Sequence, residues 1–113
     1  MKIITDQISI AELQKIAKSM FGNFVKAVVD IEKGVMVVGG ELHADEEALL
    51  LENGSKQENL WGINIYPKMK NENFIEFDSM INLRPSQDNR TRNIDDPKIK
   101  EKIVQIVSTM VKQ

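Results

Sequence analysis

All three arginines of this chain, Arg84, Arg90 and Arg92, fall within Arg84-Pro-Ser-Gln-Asp-Asn-Arg-Thr-Arg92, whereas its lysines are spread from Lys2 to Lys112. A guanidinium presents a planar fork of donors matched to carboxylates and phosphates, while an ammonium serves adequately as a solvated surface charge. A chain that uses lysine everywhere else has a local reason for arginine here. Ser86, Gln87, Asn89 and Thr91 interleave neutral donors, and Asp78 and Asn82 on the approach would project toward the same region. As a binding site, Arg84, Ser86, Gln87, Asn89, Arg90 and Arg92, with Asn82 and Asp78, would grip an anionic small molecule or an acidic protein surface. The opposing reading is structural: the arginines bind the chain's own carboxylates or helix-end carbonyls and so pin a long loop.

A second constellation is Glu41-Leu-His43-Ala-Asp45. If extended, it places Glu41, His43 and Asp45 on one strand face as candidate metal ligands. His43 is the only histidine, so a typical zinc triad cannot be built within one chain. An enzyme using His43 as acid or base, oriented by Glu41 or Asp45 or working with Glu76 or Asp78, is a further reading. No serine stands in a nucleophile-elbow setting to accompany it.

The elements that must position these residues are signalled locally. Ser9 and Glu12 have capping-box spacing, Ile8 and Leu13 stand at staple positions, and Leu13, Ile16, Ala17 and Met20 recur at helical spacing before Gly22. Val25, Ala27, Val29 and Ile31 then alternate with Lys26, Asp30 and Glu32, and Lys33-Gly34 turns the chain into Val35–Val38, predicting a hairpin. Residues 45–53 read as a short helix capped by Asp45 and stopped by Asn53-Gly54, with a strand through Leu49–Leu51 as the rival. Ser55 and Glu58 repeat the capping-box spacing and predict one helical turn. Trp61, Ile63 and Ile65 predict a strand ended by Pro67.

From Phe74 the longest two-residue alternation of the chain sets Ile75, Phe77, Ile81 and Leu83 against Glu76, Asp78, Met80, Asn82 and Arg84, with an irregularity near Ser79. Pro85–Asp95 is aperiodic and reads as a loop. Asp96-Pro97 starts a final helix whose stripe includes Ile99, Ile103, Val107 and Met110. The sum is an α+β domain spanning 1–113: an antiparallel sheet of about four strands, in two hairpins, with N-terminal, short middle and C-terminal helices packed on one face.

Composition narrows the function classes. Zero cysteines exclude disulfides and thiolate chemistry. No apolar run approaches bilayer length and no signal-peptide core opens the chain, so a cytoplasmic protein without a membrane partner is expected. A net charge of −2 gives no general attraction to nucleic acid, and Trp61 and Tyr66 fall on opposite strand faces, so no base-stacking platform is expected. Gly39-Gly40, Gly54 and Gly62 match no phosphate-cradling pattern, and no cofactor is expected. The charge is nevertheless sorted: residues 41–58 hold six acids and one lysine, whereas 84–112 hold seven cations and four acids. Such blocks could face each other within a subunit or across a homo-oligomer.

The segments Val25–Glu32, Gly40–Asp45, Leu60–Pro67 and Phe74–Arg92 together resemble a family of short, single-domain prokaryotic proteins known only as a domain of unknown function. The resemblance implies a stand-alone cytoplasmic protein and carries no activity, cofactor or residue role. The functional expectation is thus binding through the Arg84–Arg92 loop, set against a structural or oligomeric role for the same loop and an enzyme or metal site around His43.

Overall fold

A computed structural model describes residues 1–113. The elements run β1 (Lys2–Ile4), β2 (Ile8–Ser9), α1 (Ile10–Ser19), β3 (Val25–Asp30), β4 (Val35–Val38), α2 (His43–Glu52), β5 (Leu60–Ile65), β6 (Ile75–Glu76), α3 (Pro97–Met110) and β7 (Val111–Lys112). Short 3-10 turns occupy Gln57–Asn59, Asn71–Asn73, Met80–Asn82 and Pro85–Gln87.

The local signals account for the outer helices. Ser9 caps α1, its hydroxyl accepting from the Glu12 amide at 3.1 Å. The reciprocal half of the box is not made: the Glu12 carboxylate pairs with Lys2 and so ties the helix to β1. Asp96 caps α3 by accepting from the Lys98 amide at 2.9 Å, and Pro97 fills the first position, where its missing N–H costs nothing. Each helix presents one apolar stripe, Leu13 and Ala17 from α1 and Ile103, Val107 and Met110 from α3.

The five-stranded sheet has the order β1-β4-β3-β5-β6, with every neighbouring pair antiparallel. The two expected hairpins, β3–β4 and β5–β6, are therefore present, joined through β3 and β5. The fifth strand is β1, which adds to β4 through Lys2, Ile3 and Ile4. A separate parallel pairing of β2 with β7 fastens the approach to α1 onto the end of α3.

Helices cover both faces of the sheet, which corrects the one-face expectation. On the first face Val25, Ala27, Val29, Met36, Val38, Trp61, Ile63 and Ile65 pack with the stripes of α1 and α3. On the second, Val28, Val37 and Leu60 pack with Leu50 of α2. Val28 carries the reason in the sequence: it puts an apolar residue on the face otherwise read as polar, and the central strand β3 is buried on both sides. Asp30 on that second face is buried but satisfied. Its carboxylate accepts from the amides of Glu32 and Lys33 to shape the hairpin turn, and from the Ser55 hydroxyl at 2.6 Å. Ser55 is thus spent on Asp30 rather than on capping the turn at Gln57–Asn59.

Residues 45–52 are helical with Asn53 as the C-cap, as the favoured reading has it, but α2 begins at His43 with Leu42 at its cap and no side-chain cap bond. Asp45 lies inside the first turn instead of preceding it. The long strand expected from Phe74 to Arg84 also does not form. Pairing with β5 ends after Ile75 and Glu76, and the chain then folds into the turns at Met80–Asn82 and Pro85–Gln87.

Candidate functional site

The loss of that strand decides the geometry of the arginine segment. In an antiparallel strand alternate residues direct their N–H and C=O to the same side, so β5 beyond the reach of β6 leaves the groups of Leu60 and Gly62 to be satisfied. Side chains do this. Gly62 N–H donates to Asn82 Oδ1 at 2.8 Å, and Asn82 Nδ2 donates back to Gly62 O at 2.9 Å. Arg84 donates through NH2 to Leu60 O and through NH1 to Gln57 O at 2.6 Å. The guanidinium carbon of Arg84 also lies 4.1 Å from the centre of the Trp61 ring, and burial depresses its pKa. Asn82 and Arg84 therefore act on the strand edge and do not project with Asp78 toward an outer region, as the alternation suggested.

Gln87 completes the clasp, accepting from Arg84 NH1 at 3.0 Å and donating to Glu58 O at 3.1 Å. The loop is held to the end of the acidic 41–58 segment, but through backbone carbonyls, with no ion pair between the two charge blocks. Asn89 is the buried hub of the loop. Its Nδ2 donates to the carbonyls of Asn82, Thr91 and Asn93, and its Oδ1 accepts from the Asp95 amide at 2.7 Å. Asp95 in turn accepts from the Arg90 amide and the Thr91 hydroxyl, and these two bonds hold its carboxyl below the usual range.

Two guanidinium groups remain on the outside. Arg92 meets Asp78 through Nε at 2.8 Å, with its side chain 56% exposed. Arg90 has a single carboxylate contact, to Asp88 at 3.6 Å, and its side chain is 69% exposed. A pair that exposed contributes roughly 0–1 kcal/mol, too little to fix either residue. Ser86 is exposed in the Pro85–Gln87 turn. The sequence set thus divides: Arg84, Asn82, Asn89 and Gln87 build the loop, while Arg90 and Arg92, with Asp78 beside the latter, are presented by it.

The Glu41–Asp45 segment is not a strand, so its three candidates do not share a strand face. Glu41 and Asp45 are exposed, whereas His43 is buried at the start of α2 with Nε2 2.8 Å from Ile63 O. A carbonyl can only accept, so Nε2 carries the proton, and burial lowers the pKa of the ring. No group of three or more His, Cys, Asp or Glu side chains is arranged to hold a metal ion.

Sequence reasoning missed Gly62, Ser79 and Glu46. A Cβ at Gly62 would stand 2.6 Å from both Cβ and Oγ of Ser79 and 3.2 Å from His43 Cδ2, so only glycine lets the 79–82 turn close onto β5. The isolated glycine within an apolar alternation was the available signal for such an approach. Glu46 is fully buried against Gly40, whose N–H donates to Oε2 at 3.0 Å, while Oε1 has no partner. Burial pushes its carboxyl up to about 9, so it is neutral at physiological pH. Nothing local distinguished it from the exposed acids around it.

A family model described as Protein of unknown function (DUF5674) matches residues 2–110. The chain belongs to that family. The match runs from β1 to the last residue of α3, so the DUF5674 unit includes the whole sheet, the clasped loop and all three helices. No curated protein and no solved structure matches the chain. No helix in this DUF5674 member is long and apolar enough to cross a membrane.

Proposed function

We propose that this DUF5674 protein binds an anionic group, a carboxylate or phosphate, between Arg90 and Arg92 at the tip of the clasped loop. The observation that supports this is the contrast within one segment: Arg84 is spent on the fold, while Arg90 and Arg92 stand on the outside with one carboxylate contact each. Arg92 engages Asp78 by Nε, which leaves its two terminal nitrogens for a ligand. Because Asn89 and Asp95 already order the backbone between them, little entropy would be lost on binding. Asp78 and Asp88 compete for the same forks, which suits a weak, exchangeable anion site.

The structural reading has its own supporting observation in Arg84, Gln87 and Asn82, and it applies to those residues. Titrating the labelled protein with inorganic phosphate and with citrate, followed by amide shifts, tests the proposal. Saturable shifts confined to 88–95, lost in Arg90→Ala/Arg92→Ala without a change in melting temperature, are expected. Absence of shifts with either anion, or a large loss of stability in that double variant, would overturn it.

A further inference from the structure

A groove of about 1180 Å³ lies elsewhere, between α3 and the chain that runs from the end of β5 into β6, and no residue of 84–92 lines it. Its floor is apolar, made by the half-buried Phe74, Ile75 and Phe77, with the exposed Val104 of α3 on the opposite wall. Lys68, Lys70 and Lys100 line the same space, and none of the three is in an ion pair. Lys100 stands 5.1 Å from the centre of the Phe77 ring, so this cation is held at the boundary between apolar floor and solvent.

From the geometry we infer that this groove binds an amphipathic organic anion, an alkyl-chain carboxylate, with its chain along the aromatic floor and its head among the three ammonium groups. Charge complementarity supplies the choice. Glu72 and Glu101 also line the groove, so its charged side chains carry one positive charge in excess, which a ligand carboxylate balances. The volume lies just above the usual small-molecule range of about 300–1,000 Å³ and is far more than a lone inorganic ion needs. An extended peptide is a poorer occupant because β6, the strand that would template it, is only two residues long. The site is separate from the loop tip, and neither proposal depends on the other.

Dodecanoate below its micelle concentration is the probe, with dodecanol and dodecyltrimethylammonium as neutral and cationic counterparts, each followed by amide shifts. Dodecanoate should shift residues 68–77 and 100–108 saturably and bind at least tenfold more tightly than either counterpart. Lys70→Glu/Lys100→Glu should weaken it at least tenfold, and Val104→Asp should abolish it, both with unchanged melting temperature. Equal affinity for the three amphiphiles, or affinity within twofold in the lysine double variant, overturns the inference. So does sedimentation showing that the unliganded chain is a dimer that Val104→Asp splits, since a second copy would then be the occupant.

Discussion

Asn82 and Gly62 pair as two strand residues would, except that one partner is a side chain: the Asn82 carboxamide both accepts from and donates to the Gly62 backbone, at 2.8 and 2.9 Å. The same Nδ2 also donates to Arg92 O at 3.1 Å, so one planar group joins β5 to both ends of the arginine loop.

Asn82→Ala should therefore remove three hydrogen bonds and leave the Gly62 groups buried without partners. Unpaired buried groups cost about 1–3 kcal/mol each, so a loss of roughly 2–4 kcal/mol is expected in urea denaturation. The amide of Gly62 should exchange with solvent far faster than that of its neighbour Ile63. A loss below about 1 kcal/mol, the scale of an ordinary surface change, would contradict this role.

Gly62→Ala should be nearly as damaging, for a steric reason. The new methyl would lie 2.6 Å from Ser79 Cβ, an atom fixed close to its backbone, so the 79–82 turn must retreat. Overpacking of this kind costs about 1–3 kcal/mol. Adding Ser79→Gly to the same chain should recover part of the loss, a non-additivity that a double-mutant cycle on denaturation free energies measures.

Glu46 makes the protein less stable as pH rises. Its folded pKa, about 9, lies above the ordinary 4.5, so between those values the folded chain holds a proton that the unfolded chain has released. The penalty is absent below pH 4.5, grows up to about pH 9 and is constant beyond. Lys26 and the N-terminal ammonium oppose the shift and Asp45 adds to it, but burial dominates. Glu46→Gln keeps an acceptor for Gly40 and removes the titration. At pH 8 it should be the more stable protein by at least about 1.4 kcal/mol, one pK unit's worth, and guanidinium denaturation from pH 5 to 9 should show a flatter profile.

His43 acts at the other end of the scale. Burial holds its folded pKa below 6.5, so on acidification the unfolded chain takes up the proton first. Stability is lost as pH falls below 6.5 toward the folded value, the opposite slope to that of Glu46. Nitrogen-detected spectra of the ring should show the Nε2–H tautomer at pH 7 and an onset of titration below that of a free imidazole. A ring that titrates at or above 6.5 would show that burial does not govern it.

Much of the scaffold is legible in the sequence because its causes are local. Ser9 and Asp96 accept from amides two or three residues ahead, and Lys33-Gly34 closes its own hairpin; such contacts leave a trace in residue spacing. The stretch from Phe74 to Arg84 departs from its alternation because beyond Glu76 it meets β5 through side chains instead of backbone. Ser79 donates its amide to Arg92 O, Asn82 reaches Gly62, and Arg84 reaches Leu60 and Gln57, all across ten residues or more. Those contacts decide which arginines belong to the fold and which are presented, a division that residue type alone does not encode. The same limit hid the second covered face, since burial of Val28 and Asp30 depends on where α2 lands.

The amide of Asn82 and the guanidinium of Arg84 have one more consequence, for association between molecules. An open strand border invites another polypeptide to add to it, and this is a common route to fibrous aggregates. Here the border of β5 that β6 leaves uncovered is occupied by side chains, which cannot be copied by an arriving backbone. The opposite border, β1, is three residues long and starts with Lys2. With β1 three residues long and β6 only two, neither border of the sheet offers an arriving strand a long run of unpaired backbone.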